Sequence, residues 1–442
     1  MAFLFRLGFA RSAVYLVVYT LIAVGQVAAA TELPPDPAVE PQGLLRLSDA
    51  RALALARSPM LRALSSRAKA ATEHTRQAGL LPNPELSFEV ENFAGSGAFN
   101  GFNAAETTLA LGQPVQLGGK RGKRRDVASL GEEEIRLEYR AAELSLLQQV
   151  NGSFAALLAA QKRLSIAEDL LRLANDTLES VAAQVRAGGV LHTEEIRAQV
   201  NVDSALLNRE RLRSALTITR IRLAASWGNA QPTFREAHGD LGEIDPPPLL
   251  ASLFENLDNT PEIARRNTQA SRLRAQVKVE ESKAYPDILV AAGVRRLSRS
   301  DDYAAVASFT VPLPLFDRNQ GNAAAAAHLL RAAQQQALAH RRQTESAIAT
   351  THQTLANAYL SATRLRTVLI PNAREAFDGT QRSLRSGRLR YTDVLDAQRT
   401  LISLELDYVD AVATYHIALA NLEQLTARSL TPESGPTPET PQ

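Results

Sequence analysis

The stretch from Ser386 to Leu425 constrains this chain more than any other. From Val394, apolar residues recur at alternating steps of three and four, through Ala397, Leu401, Leu404, Tyr408, Ala411, Tyr415, Ala418, Leu422 and Leu425. A heptad pattern sustained over that distance demands a partner helix along its whole length. Alanine alternates with larger side chains, which lets that partner approach closely. Gly387 interrupts the pattern after Leu384 and leaves only a few residues for a turn, so the preceding segment is the expected antiparallel neighbour. Thr392 is expected to cap the returning helix. Asp393 and Asp396 follow three apart, on one side of that helix beside the seam.

The same device occurs about 199 residues earlier, where Gly188 matches Gly387, Thr193 matches Thr392 and Ala198-Gln199 matches Ala397-Gln398. The helix leading into that earlier turn carries its own seam, from Leu164 through Ala167, Leu171, Ala174, Leu178 and Val181 to Val185. The chain is therefore one architecture built twice. Repeat 1 spans 47–228 with its tip near 188, and repeat 2 spans 249–428 with its tip near 387; residues 229–248 are a proline- and glycine-rich connector.

Each repeat runs in the same order. A helix begins near Ser48, is interrupted at Pro59 and stops at Pro82-Asn83-Pro84; its counterpart carries Pro261 and stops at Pro286, both at an offset of 202. The period then changes to two. In repeat 1, Leu86, Phe88 and Val90 alternate with polar residues, and after the loop AGSGAFNGFN so do Thr107, Leu109 and Leu111, which predicts a hairpin over 85–112. In repeat 2, Ile288, Val290, Ala292 and Val294 share one face, and Tyr303, Ala305, Ala307 and Phe309 line the next strand, a hairpin over 287–312. QPVQLGGKRGK and VPLPLFDRNQGN follow the hairpins, with Pro312 at an offset of 198 from Pro114. Long helices then run from about Gly122 to Ala187 and from about Asn322 to Ser386, the second bent at Pro371. At 1.5 Å per residue each reaches roughly 100 Å, far beyond what a globular domain needs.

Bulk properties exclude several classes. A net charge of +2 gives no reason to expect nucleic acid. The absence of cysteine removes disulfides, thiolate metal sites, cysteine nucleophiles and an N-terminal lipidated cysteine. Residues 1–30 read as an export signal, with Arg6 and Arg11 before an apolar run and Ala28-Ala29-Ala30 as the cleavage site; 31–46 is a proline-rich leader and 429–442 a disordered tail. No later segment has the roughly 18 uninterrupted apolar residues of a membrane helix. No catalytic or cofactor-binding motif stands out. GSGAFNG lacks the dinucleotide spacing, GGKRGKR lacks the P-loop pattern, and His328, His340 and His352 fall on different faces of one helix. The basic run Lys120, Arg121, Lys123, Arg124 and Arg125 is expected to sit at the strand-to-helix junction, braced in repeat 2 by Asp317 and Arg318.

Four amphipathic strands cannot close a membrane barrel, whose smallest form has about eight, and open strand edges are not tolerated in lipid. If the strands lie in a membrane, several chains share one barrel, and three would supply twelve strands. The expected fold is mainly α with membrane β: a duplicated, long-helix, coiled-coil α-barrel plus four strands per chain contributed to a shared trimeric 12-stranded β-barrel. The competing arrangement is a soluble α+β domain whose hairpins pack against its own helices.

From about Leu47 to Ala427 the sequence resembles the TolC-like family of bacterial outer-membrane efflux channels. The resemblance rests on the duplicated order, the LPNPELSFEVENF start, and the glycine-turned tips followed by T-E-E-I-R-A-Q and T-D-V-L-D-A-Q. QPVQLGGKRGKR and VPLPLFDRNQGN resemble the branch serving heavy-metal exporters of the cobalt, zinc, cadmium and copper type. This implies a homotrimer in outer-membrane lipid, a helical barrel in the periplasm, a periplasmic adaptor at its tip and an inner-membrane pump of the proton-driven RND type.

Asp393 and Asp396 match the family's aspartates at the closed periplasmic aperture, where three chains would ring a constriction with carboxylates; the plainer role is complementing the helix dipole. Glu194 and Glu195 are a weaker echo. The tips, Val185, Arg186, Ala187, Gly188 and Gly189 in repeat 1 and Leu384, Arg385, Ser386, Gly387 and Arg388 in repeat 2, are the expected adaptor contacts, beside the plainer role of turn chemistry. The function expected is a passive, gated outer-membrane conduit carrying heavy-metal cations, with drugs or other organic compounds as the other substrate class. A periplasmic coiled-coil adaptor or scaffold without a pore is the rival from another class.

Overall fold

Long runs without proline become long helices. In the computed structural model, which describes residues 40–385 and 391–430, the 67 residues Lys120–Arg186 form one uninterrupted α-helix. The export signal, most of the leader, the tail from 431 and the second-tip residues Ser386, Gly387 and Arg388 lie outside the described residues.

Repeat 1 comprises β1 (Leu44–Arg46), α1 (Leu47–Arg57), α2 (Pro59–Ala78), β2 (Glu85–Glu91), β3 (Glu106–Val115), α3 (Lys120–Arg186) and α4 (His192–Ala225). The connector holds β4 (Glu236–His238) and the single turn α5 (Leu250–Leu253). Repeat 2 comprises α6 (Pro261–Ser282), β5 (Ile288–Leu297), β6 (Asp302–Thr310), α7 (Gln320–Arg364), α8 (Ile370–Arg385) and α9 (Tyr391–Thr426). Pro59 and Pro261 each occupy the first turn of their helix, where a missing N–H costs nothing.

The seam is as expected. Val394, Leu401, Tyr415, Ala418 and Leu422 are buried, and the remaining seam positions are partly covered. Val409, Val412 and Ala413 on another side of α9 are buried as well, because α9 packs on α3 as well as on α7 and α8. The duplication reaches the core. Val150, Leu157 and Leu223 in one cluster and Ile348, Leu355 and Leu422 in the other are all fully buried, at offsets of 198 to 199.

Pro371 is accommodated without a break. The five residues Leu365–Leu369 form a π-helical turn just before it, and α8 continues from Ile370. Widening the turn relieves the clash between a proline ring and the carbonyl four residues back.

Three expectations are corrected. α9 begins at Tyr391, so Thr392 lies inside the first turn rather than at the cap, and its match Thr193 likewise follows the first residue of α4, His192. Left-handed residues precede both long helices, Gly119 (φ +68°) and Asn319 (φ +60°), and this shared backbone signature sets the local offset at 200. Pro114 therefore corresponds to Pro314, not Pro312. The connector and the end of the leader are also more structured than their composition indicates, since β1 and β4 pair in parallel. Tyr415 Oη donates to Asp245 O (2.9 Å) and His352 Nε2 meets Pro248 O (2.8 Å), which fastens the connector to the helices. Even the start of the tail is held, with Leu430 N donating to Glu423 Oε1 (3.0 Å).

Glu40 pins the leader to the connector. Its carboxylate accepts from Asn229 Nδ2 (2.6 Å), Thr233 N (2.8 Å) and Trp227 Nε1 (3.2 Å). Burial pushes the Glu40 carboxyl up, but these bonds outweigh it and hold the group below the ordinary carboxylate value. Its contribution is therefore complete above that ordinary value and is lost as pH falls through the depressed one. Glu40→Ala should cost about 1–3 kcal/mol locally, speeding hydrogen exchange at the Thr233 amide roughly 10- to 100-fold. Exchange unchanged at neutral pH would show that the carboxylate is not the pin.

Candidate functional site

The two hairpins predicted from period-two alternation join into one sheet. The strand order is β2-β3-β5-β6, antiparallel throughout, so β2 and β6 are edges with no further strand beside them among the described residues. Register sorts the side chains. Leu86 lies opposite Leu111, Phe88 opposite Leu109, Leu109 opposite Val294, and Val290 opposite Phe309. These residues share one face, and all are exposed, Leu86 at 68%, Phe88 at 69% and Phe309 at 66%. The helices of this chain leave that face uncovered. A monomeric soluble protein rarely presents an apolar surface of this extent. Ten-residue strands such as β3 and β5 span about 33 Å before tilt, which suits a bilayer.

The opposite face carries the charge, with Glu85, Glu89 and Glu91 on β2, Glu106 and Thr108 on β3, and Arg295 on β5, among smaller and apolar residues such as Ala291 and Val306. Arg295 ties three strands together, pairing with Glu106 (2.8 Å) and Glu91 (3.1 Å) while its Nε donates to Thr108 Oγ1 (3.0 Å). This cluster was not singled out from the sequence, although the same alternation that sorts Val290 and Val294 to one face sorts Arg295 to the other.

At the foot of the sheet, the basic run opens α3. Lys120 Nζ pairs with Asp287 (2.7 Å), and Arg124 donates to Gln116 Oε1 (2.9 Å). In repeat 2, Asp317 Oδ1 accepts from Asn319 N (2.8 Å), and Arg318 Nε donates to Pro314 O (3.3 Å). The three histidines of α7 do unrelated things. His328 is exposed, His340 Nε2 lies 3.6 Å from Glu262, and His352 holds the connector.

The first tip closes by a glycine-dependent helix stop. Gly188 has φ +73°, Gly188 N donates to Val185 O (3.0 Å), and Gly189 N donates to Gln184 O (2.9 Å), the paired bonds that a left-handed residue permits after a helix. Arg186, Ala187, Gly188 and Gly189 are exposed and Val185 is partly covered. Leu395 on the first turns of α9 packs with Val181, Val185, Val190 and Ala198, so the start of α9 abuts the first tip. Asp396 is exposed and Asp393 partly covered. The acids of repeat 1 are locally engaged, Glu194 by Arg197 (2.7 Å) and Glu195 by His192 (3.1 Å). Leu384 and Arg385 end α8.

No helix among the described residues is long and apolar enough to cross a membrane, and none of their His, Asp and Glu side chains gather into a group of three that could hold a metal ion. The sheet, by contrast, has the two unlike faces of a pore wall.

Comparison with known proteins agrees with this geometry. The family described as outer membrane efflux protein matches residues 50–229 and 253–428, the two repeats. The cobalt-zinc-cadmium resistance protein CzcC of Cupriavidus metallidurans is 30% identical over 92% of this chain and 96% of its own length. The nickel-cobalt-cadmium resistance protein NccC of Alcaligenes xylosoxydans xylosoxydans is 29% identical over 71% of this chain and 68% of its own length. Among solved structures, the outer membrane protein VceC of Vibrio cholerae superposes with a TM-score of 0.70 at 18% identity, covering 87% of this chain and 97% of VceC. CusC, described in connection with transmembrane channel formation, gives 0.69 at 17% identity over 86% and 91%. With both repeats matched and a relative aligned over nearly its full length, the chain belongs to the outer membrane efflux protein family.

Proposed function

We propose that this protein is the outer-membrane conduit of a tripartite efflux system that exports heavy-metal cations, working as a homotrimer with a shared 12-stranded barrel. One observation carries this: a four-stranded sheet with an exposed apolar face, a charged opposite face and two open edges. Such a sheet cannot persist alone in lipid, because its edge N–H and C=O groups would have no partners. Three copies placed edge to edge satisfy every edge, turn the apolar faces to lipid and direct the polar faces to a lumen. The long helices then extend the passage into the periplasm. A pore-free adaptor would have no use for the exposed apolar sheet face.

The tips are assigned to the partner and the gate. Val185–Gly189 and 384–388 are the contacts for the periplasmic adaptor, which couples the conduit to an RND pump. Asp393 and Asp396, from three copies, ring the aperture with carboxylates that attract cations and disfavour anions. The export signal directs the chain out of the cytoplasm, and the barrel rather than a lipid holds it in the membrane. The metal assignment is supported by the likeness to CzcC and NccC, whose names specify cobalt, zinc, cadmium and nickel.

Purified protein should form heat-resistant trimers that conduct ions in planar bilayers, and Asp393→Ala with Asp396→Ala should raise conductance and weaken block by divalent cations. Trimers that conduct identically after both replacements would remove the aspartates from the gate, and absence of any conductance would remove the pore. Gly387→Glu should abolish crosslinking to the adaptor in cells while trimers persist; retained crosslinking would place the contact elsewhere. Deleting the protein should sensitise cells to cobalt, zinc or cadmium ahead of organic drugs, and the opposite order would reassign the cargo.

A further inference from the structure

The two repeats meet inside one chain where β3 pairs with β5. In a closed barrel of several copies, β6 of one copy must meet β2 of the next, which is the same junction with the repeats exchanged. We infer that the junction within the chain is the template for the junction between copies and sets its residue register. The inference rests on the shared-barrel reading above.

Two offsets convert one junction into the other. Gly119 and Asn319 relate the second strands at 200, and Pro84 and Pro286 relate the first strands at 202. The observed registers of the two hairpins, Leu86 with Leu111 and Leu289 with Thr310, fix the sum of the two offsets and agree with this pair, while the proline and left-handed landmarks fix each one separately. Applied to β3–β5, where Ala291 faces Gly112 and Leu289 faces Pro114, they place Pro312 opposite Glu89 of the neighbouring copy and Pro314 opposite its Ser87.

Independent features of the chain fit this register. It sets Val311, Leu313 and Leu315 against Val90, Phe88 and Leu86 of the neighbour, extending the apolar face across the boundary. Leu313 and Leu315 are 74% and 65% exposed here, although they lie beyond the end of β6. β3 stays in strand through Val115, whereas β6 stops at Thr310, five residues short of the equivalent Leu315. The missing length is the part that β5 supports in β3 and that only a neighbour could support in β6. Proline is tolerated as well. Pro114 sits in the ladder with β5, so N–H groups of its parity point away from that partner, and Pro314 and Pro312 share that parity. At the foot, Glu85 takes the place of Asp287 and meets the Asp317–Gln320 turn, as Asp287 meets Leu117 N and Lys120 Nζ.

The native chain has no cysteine, so paired cysteines report the register directly. A Cβ at Gly112 would lie 3.5 Å from the Ala291 Cβ, within disulfide range. Pro312→Cys with Glu89→Cys, and separately Pro314→Cys with Ser87→Cys, should give covalent dimers and trimers under mild oxidation. The offset pair Pro312→Cys with Ser87→Cys should crosslink roughly tenfold less. Trimers that crosslink best through the offset pair, or through neither matched pair, would overturn the register while leaving the pore intact. Protein that stays monomeric in membranes, with no crosslink from any pair, would overturn the shared barrel itself.

Discussion

Every part of this molecule answers to the unpaired backbone at the edges of a four-stranded sheet. In water an exposed edge is a liability; in hydrocarbon it is prohibitive, since each unsatisfied group costs several kcal/mol. β2 and β6 leave such edges, and the apolar face between them leaves no doubt about the solvent it suits. On the function proposed above, the chain finishes its structure only in company, and its long helices then line up around what the strands enclose.

Duplication is the means by which one sequence meets that requirement economically. Both cores use the same positions, Val150 and Leu157 in one and Ile348 and Leu355 in the other. The repeats are nonetheless unequal. α3 runs unbroken while its counterpart carries a π turn before Pro371. In repeat 1 Arg197 and His192 engage Glu194 and Glu195, whereas Asp396 in repeat 2 is exposed.

Much of this was legible in the chain itself. Alternation at period two located four strands and assigned Leu86, Phe88, Val290 and Phe309 each to the apolar face of its own strand, because side chains of a strand project strictly to alternate sides. The heptads from Leu164 and Val394 located the paired helices for the corresponding reason at period 3.5. Less was legible where the residues that matter are far apart and of unremarkable type. The Glu40 anchor joins a leader to a connector nearly 190 residues away through donors from Trp227, Asn229 and Thr233. The β1–β4 pair is three residues long on each strand, too short for a period to register. The Thr392 cap was misplaced because a hydroxyl in the first helical turn looks the same in sequence as one just before it.

The sequence by itself determined the repeat, the strands and their two faces, the helix lengths and the lack of cysteine, all of which depend on local periodicity or composition. Only the tertiary structure decided the strand order β2-β3-β5-β6, the bridging of three strands by Arg295, the offset of 200 at the strand-to-helix junction, and the approach of Leu395 to the first tip. These are relations between segments distant along the chain, and no local period encodes which distant segment a given edge or side chain will meet.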